Sequence, residues 1–421
     1  MEGYLEENKK TLTNFLAIEE ASRCLLCYDA PCSKACPAGT DPGKFIRSLR
    51  FRNLKGAIET IRTNNPLGGI CARVCPYDKY CEGACSRCGI DKPIRIGDLQ
   101  RYLTDYEKNS NMKVMEKSKL DKEKVAVIGS GPSGLAAAAI LSQKGYKVIV
   151  FEQKQILGGW LSYGIPPKRL PQEVVENEIN HLKDLEIEFK TNCKIGNQVN
   201  IDSLRKDGYK AFLLACGIQK SKGIDVNGTE FEGVINGVDF LSEAKVKKGN
   251  IKVGSHVVVI GGGDVAMDCA STAKLLGAED VKIVYRRTIE KMPASIEERQ
   301  YVQGALNIPI FTGFKPVEIL GKSGKVTAIK AKGMFDDSSM DLEADMIIVA
   351  VGQEIDDMDS IIDVKLEDVF TAGDIVEKDK TVVQSAGSGK LAAERIDAYL
   401  TEIRNTDTGL GEAASVKEGL K

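Results

Sequence analysis

Apolar residues recur at helical spacing from Leu12 to Leu26 and again from Gly43 to Ile61, with no alternating run beside them, so the chain is expected to open as a small, mostly helical region. After the polar stretch DYEKNSNMKVMEKSKLDKEK the pattern changes. The short apolar runs VAVIG and KVIVFE, and later HVVVIGG and DVKIVYRR, read as buried parallel strands, each pair enclosing a helix that starts just after a glycine turn. The run MIIVAVGQ closes the second unit, and DVFTAGDI precedes a helix from about Ser388 to Leu400. The expected fold class is therefore α/β: two Rossmann-like dinucleotide-binding domains preceded by a small α-helical one. The boundaries expected are 1–115 for the helical domain, 121–235 and 351–405 for the two parts of the first dinucleotide domain, and 236–350 for the second. A polar tail, 406–421, is expected to fray.

Composition narrows the field. A chain of 421 residues with 43% hydrophobic content exceeds what one core supports. The balance of 58 basic and 60 acidic residues offers no field that would gather nucleic acid or an anionic membrane, and neither partner is expected. No stretch has the apolar length of a membrane span, and MEGYLEENKK lacks the basic start and apolar core of a secretory signal. A cytoplasmic location is expected. In that reducing compartment, nine cysteines before residue 89 read as metal ligands, not disulfides. Cys193, Cys216 and Cys269 stand singly and read as small buried apolar residues.

The nine fall into two groups: Cys24-x2-Cys27-x4-Cys32-x3-Cys36-Pro37, then Cys71-x3-Cys75-Pro76, Cys81-x3-Cys85 and Cys88. Two groups of four or five ligands imply two metal centres. Zinc also takes four thiolates, but from regular paired knuckles. The irregular spacing and the two Cys-Pro pairs favour [4Fe–4S] centres of the ferredoxin type. Such centres carry single electrons, which suits a two-electron flavin whose electrons must leave one at a time.

The first glycine turn is Gly129-Ser-Gly131-Pro-Ser133-Gly134, with Glu152 ending the next strand. Glycine lets the backbone approach a pyrophosphate, a helix N-terminus favours its charge, and the carboxylate suits a ribose hydroxyl. The second turn, Gly261-Gly-Gly263-Asp264-Val265, is followed by a strand ending in Arg286 and Arg287 where an acid is usual; arginine there suits a 2′-phosphate and favours NADPH over NADH. Two such sites fit FAD at the first and a nicotinamide nucleotide at the second. No side chain need act as acid or base in the hydride step. A flavin disulfide reductase would share this architecture, but it needs a redox-active cysteine pair, and no CxxC or CxxxxC follows residue 88. A non-catalytic nucleotide-binding sensor is the alternative from another class.

These residues resemble the family of glutamate synthase small subunits and the N-terminal half of dihydropyrimidine dehydrogenase. The resemblance runs through EEASRCLLCYDAPC, CPAGTD, NNPLGGICARVCP, CEGAC, IRIGDLQRY, VAVIGSGPSGLAAA, FEQKQILGGWLSYGIPPKRLP, VVVIGGGDVAMDCA, YRRT, MPAS and VFTAGDI. It implies that Cys24, Cys27, Cys32 and Cys85 hold one cluster, and that Cys36, Cys75, Cys81 and Gln100 hold the other, with Cys71 unligated. Cys88 is an extra cysteine that stands as an alternative to Gln100. The resemblance also implies that Gly159, Trp160 and Arg169 lie beside the flavin and that Gly373 and Asp374 of TAGD contact its ribityl or phosphate portion. Gln100 leans the likeness toward the pyrimidine branch, whose bacterial flavoprotein subunit is a separate chain. The expected partner is then an FMN-containing dihydropyrimidine dehydrogenase-type catalytic subunit, with a glutamate synthase large subunit as the alternative. The stretch from Gly352 to Asp374 is shorter than the family leads one to expect.

Overall fold

The computed structural model describes residues 2–7, 9–196, 199–355 and 366–407. The motifs read from the sequence fall within them, except for parts of the short stretch after Gly352 and of the polar tail, which lie outside the described residues. Two compact units emerge. One comprises Met1–Asn8, Trp160–Gln172 and Ile218–Asp356; the other comprises Lys9–Gly159, Glu173–Gly217 and Asp357–Lys421.

In the larger unit the cysteine-bearing region is helical, as the 3.6-residue periodicity predicts. Its helices are short and stopped by local chemistry. Thr13 caps Asn14–Ser22 through Leu16 N, and Asp41, in left-handed backbone at φ 59°, caps Pro42–Arg50 through Lys44 N. Pro42 at the first helical position fixes that start. Phe45, Ile46, Leu49, Ile58, Ile61, Leu99 and Leu103 form the core of this region. The same unit holds a parallel sheet in the order Val369–Thr371, Tyr209–Leu214, Lys124–Ile128, Lys147–Phe151, Glu188–Lys190. Four of the five residues in Lys124–Ile128 and in Lys147–Phe151 are buried, which is why those strands read as continuous apolar runs. Helix Val382–Asp407 runs against helix Pro132–Gln143 so closely that a β-carbon on Gly389 would lie 2.1 Å from Ser133 O.

The smaller unit repeats the plan. Its parallel sheet has the order Val234–Asn236, Met346–Val349, His256–Ile260, Asp280–Tyr285, Ile310–Thr312. Between the last strand of that series and Met346 the chain makes an antiparallel meander, Phe314–Lys322, Lys325–Gly333 and Ser339–Glu343, which the periodicity of the sequence did not announce. One face of the meander is apolar: Ile319, Val326, Ile329, Ala331 and Leu342 join Val258, Ile260 and Ile347 of the sheet in one cluster.

Candidate functional site: two glycine turns and two groups of thiols

The first turn is shaped by contacts only glycine permits. Gly129 sits at φ +106°, and a β-carbon there would lie 2.4 Å from Ala215 O; one on Gly134 would lie 2.0 Å from Gly129 O. Gly131 differs, because its β-carbon would meet protein only at 4.0 Å, so its freedom from a side chain faces outward, where a pyrophosphate would approach. Gly131 also precedes helix Pro132–Gln143, whose first N–H groups have no side-chain cap and so present an anion site. Glu152, buried, accepts from Ser130 N and Oγ through one oxygen (3.0 and 2.6 Å) and from Lys154 N through the other at 2.8 Å. Gly159 lies against the same turn, its β-carbon position 3.0 Å from Gly131 Cα. Gly373, at φ +82°, would place a β-carbon 2.5 Å from Ser133 Oγ, and its N–H donates to Ser388 Oγ at 3.1 Å. Asp374 accepts from Ser385 Oγ at 2.7 Å, and burial raises its carboxyl above the ordinary value. The structure thus brings Gly129, Gly131, Ser133, Gly134, Glu152, Gly159, Gly373 and Asp374 together, and the cradle fits the FAD dinucleotide.

The second turn is built alike. Gly261 would place a β-carbon 2.2 Å from Ala350 O and Gly262 one 2.3 Å from the Tyr285 ring, while Gly263 opens toward nothing nearer than Pro293 at 3.9 Å. Helix Asp264–Leu275 again starts without a side-chain cap. Asp264 turns aside to accept from Ser295 N at 2.9 Å, and Val265 is half-buried behind it. Arg286 and Arg287 are exposed at the strand end, and among the described residues neither side chain is held by a hydrogen bond or an ion pair. They are free to take a 2′-phosphate.

Trp160 and Arg169 both belong to the smaller unit. Trp160 packs on the core that includes Met267 and Ile283. Arg169 is held by Asp268 (2.8 Å) and Glu298 (2.9 Å), one turn into the nucleotide helix and on the helix that follows. Around them lies a buried charged network that the motifs did not reveal. Lys245 Nζ donates to the carbonyls of Leu161, Ile165 and Leu170 at 2.5, 2.6 and 3.4 Å, and burial lowers its pKa to about 7. Lys168 is buried against the Tyr301 ring, 3.5 Å from its centroid, with no hydrogen-bond partner. Asp268 was in view within the glycine-turn motif, but its partner Arg169, which it shares with Glu298, comes from 99 residues away, a separation no local pattern encodes.

The thiols gather in two places, with Cys81 in the same apolar cluster as Cys24, Cys32 and Cys85. Cys24, Cys27, Cys32 and Cys85 line one cavity with Pro31, Ile46, Ile94 and Ile96. Burial first, then the neighbouring Cys85, pushes Cys32 up to about 11 and raises Cys24. Cys36 and Cys75 pack around buried Cys71, with Ala38, Tyr80 and Val383. Burial, then Cys71, Cys81 and Cys36, pushes Cys75 well up, and Cys81 is raised by burial and by Glu82 and Cys36. Four thiols around one cavity supply the donor set that a [4Fe–4S] centre needs. Among the described residues no three ligand-type side chains close on a single point as one metal ion would require. Gln100 is buried, and its amide nitrogen donates to Gly68 O at 2.7 Å; the carboxamide oxygen is then the end available as a ligand. Cys71 sits among the second group, and Cys88 is exposed, its thiol directed to Glu82 O at 3.3 Å.

Two family models divide the chain. Residues 2–112 match "Dihydroprymidine dehydrogenase domain II, 4Fe-4S cluster", and residues 123–389 match "Pyridine nucleotide-disulphide oxidoreductase". The NAD-dependent dihydropyrimidine dehydrogenase subunit PreT of Salmonella typhimurium is 45% identical over 414 residues, which cover 95% of this chain and 98% of that protein. The chain belongs to the PreT family. The glutamate synthase [NADPH] small chain of Azospirillum brasilense is a more distant relative, 31% identical over 91% of this chain and 89% of that one. Thioredoxin reductase of Lactococcus lactis, at 20% identity and a TM-score of 0.56 over 67% of this chain, shares the fold. This PreT-family protein is an NAD(P)H-dependent oxidoreductase with FAD and [4Fe–4S] clusters, as the cysteine spacing and paired glycine turns led one to expect. The sensor alternative is thereby set aside. Among the described residues no helix is long and apolar enough to cross a membrane.

Proposed function

We propose that the chain is the electron-donating subunit of a dihydropyrimidine dehydrogenase, drawing electrons from NAD(P)H and delivering them to an FMN-containing catalytic subunit that reduces uracil or thymine. The observation that carries this reading is the PreT likeness, which spans 95% of this chain and 98% of the relative. FAD, when bound, takes up a hydride as an electron pair and releases single electrons, and [4Fe–4S] centres carry those.

The chain's own residues supply positions. Gly129, Gly131, Ser133, Gly134 and the helix start at Pro132 hold the FAD pyrophosphate, with Glu152 on a ribose. Gly159, Trp160 and Arg169 flank the flavin, and Gly373 and Asp374 hold its ribityl or phosphate portion. Gly261, Gly263, Asp264 and Val265 bind the nicotinamide nucleotide, with Arg286 and Arg287 on a 2′-phosphate, which makes NADPH the favoured donor. Cys24, Cys27, Cys32 and Cys85 hold the first cluster, and Cys36, Cys75, Cys81 and Gln100 the second. The second group lies against the flavin part of its unit: Tyr80 OH and Thr381 Oγ1 are 3.3 Å apart, and a β-carbon on Gly387 would lie 2.4 Å from Pro37 O. Residues 1–115 are the iron–sulfur domain, 121–235 with 351–405 the FAD domain and 236–350 the NAD(P) domain. Thiols that serve as cluster ligands fit a reducing compartment such as the cytoplasm.

The test is anaerobic co-expression with the candidate catalytic subunit, followed by uracil- and thymine-dependent oxidation of NADH and NADPH. Pyrimidine-dependent turnover supports the proposal. A preparation that carries flavin and iron but oxidises NAD(P)H only with a glutamate synthase large subunit present would replace it.

A further inference from the structure

Three charged side chains are buried together in the larger unit and take no part in the sites described above. Arg62, on helix Leu54–Asn64, is 1% exposed. Its Nε and Nη2 donate to Glu107 of helix Ile96–Asn109 at 2.9 and 2.6 Å. Its Nη1 and Nη2 donate to Glu178 of helix Gln172–Lys183 at 2.5 and 2.9 Å, and Nη1 also reaches Pro66 O at 2.7 Å. Glu107 and Glu178 are each 2% exposed. Burial alone would lower the Arg62 pKa, but Glu178 and Glu107 more than reverse it, so the guanidinium stays charged. His181, one turn along from Glu178, is pushed down by burial and then by Arg62 and carries no compensating charge at neutral pH. One cation against two carboxylates leaves a net negative charge sealed from water, a costly arrangement that packing alone does not need.

The triad meets the helix that leads to Cys71 and Cys75 at a glycine. Gly69 has no β-carbon to spare: one there would lie 2.4 Å from Glu178 Oε1 and 3.5 Å from Thr104 Cβ. The preceding residue, Gly68, offers the carbonyl that holds Gln100, and Cys71 and Cys75 follow on the same helix and at its end. Glu178 therefore lies against the start of this helix, whereas the Glu107 carboxylate is held by Arg62. A cluster's reduction potential is set in part by nearby charge, and a buried negative charge disfavours an added electron.

We infer that Arg62, Glu107 and Glu178 are positioning residues for the second iron–sulfur site, clamping its helix and holding its potential low through the net negative charge of the triad, with Glu178 the carboxylate nearer the helix. The inference rests on the reading that Cys36, Cys75, Cys81 and Gln100 hold that cluster. The clamp joins helix Leu54–Asn64 and the helix that bears Gln100 to the helix that follows the flavin-binding strands, so that one ionic knot fixes both the place and the electrostatics of the centre.

The experiment compares Glu178→Gln and Glu107→Gln with the unaltered chain by iron analysis and by redox titration followed by electron paramagnetic resonance. Both changes remove one buried negative charge and one set of hydrogen bonds. Expected are unchanged iron, a potential of the second cluster shifted positive by Glu178→Gln, a smaller positive shift from Glu107→Gln, and little change at the first cluster. Iron-loaded Glu178→Gln with an unmoved potential overturns the inference, as do equal shifts at both clusters. If Glu178→Gln fails to load iron, Glu107→Gln decides: a positive shift supports the tuning and no shift overturns it. Absence of iron from the unaltered chain would instead overturn the underlying assignment of the cluster.

Discussion

Helix Pro132–Gln143 and helix Asp264–Leu275 each run 12 residues from an uncapped glycine turn at the end of a parallel strand, yet they are buried by different chemistry. The first presents Leu135 and four consecutive alanines, Ala136 to Ala139, and is covered by helix Val382–Asp407 at glycine-contact distance. The second buries Asp268, which is covered by Arg169 and, beyond it, Glu298 and Lys168. The same phosphate-binding start thus sits on an apolar, shape-determined support in one unit and on a charged, titratable support in the other. Close packing has no dependence on pH; a buried charge network does.

That contrast is open to test. Arg169→Met leaves Asp268 and Glu298 facing one another without their cation, and a loss of about 3–5 kcal/mol is expected for breaking a buried pair, read as a fall in denaturation midpoint. On the other side, Gly134→Ala drives a β-carbon to 2.0 Å from Gly129 O, and overpacking against backbone is expected to cost roughly 1–3 kcal/mol or more. Here the flavin absorbance should be lost while nucleotide binding survives. If Gly134→Ala retains full flavin, the shape-determined account of the first turn is wrong.

A pH series sharpens the comparison. Lys245 has a folded pKa of about 7 against an ordinary 10.5, so between those values the unfolded chain holds the extra proton. Stability should therefore rise as pH rises from about 7 toward 10.5, and below 7 the cost of the buried ammonium is present in full. Lys245→Met should flatten that rise while lowering overall stability by about 1–3 kcal/mol, because three carbonyls lose their donor. A slope unchanged by the substitution would remove Lys245 from the account. The smallest effect expected is in nucleotide choice. Replacing Arg286 and Arg287 by alanine should weaken NADPH relative to NADH by about tenfold, roughly 1.4 kcal/mol, as measured by the ratio of kcat/KM values.

Much of this was legible in the residues. Gly129 and Gly261 mark strand ends because the turn there brings the backbone within contact of Ala215 and Ala350, a demand that leaves a glycine in the sequence. The cysteine spacing announced two centres, and the structure gathers Cys24, Cys27, Cys32 and Cys85 around one cavity. What stayed hidden depends on contacts between distant segments. Asp268 looks like any polar residue of a helix until Arg169 arrives from 99 positions away, and Arg62 meets Glu178 across 116. The meander from Phe314 to Glu343 was missed because its strands are mostly half-exposed, so that no buried run marks them. Tyr4 is another such case: it is 1% exposed within the smaller unit, although nothing in MEGYLEENKK marks it as core.

The central claim is that electrons taken from the nucleotide leave singly through the N-terminal thiol centres. Its most direct test is iron, zinc and flavin analysis of the anaerobically purified chain, followed by addition of NADPH or NADH and electron paramagnetic resonance. The account predicts roughly eight irons and one FAD per chain, with the signal of a reduced [4Fe–4S] centre appearing on addition of the nucleotide. Bound zinc in place of iron, or a flavin that bleaches while the iron centres stay oxidised, would contradict it.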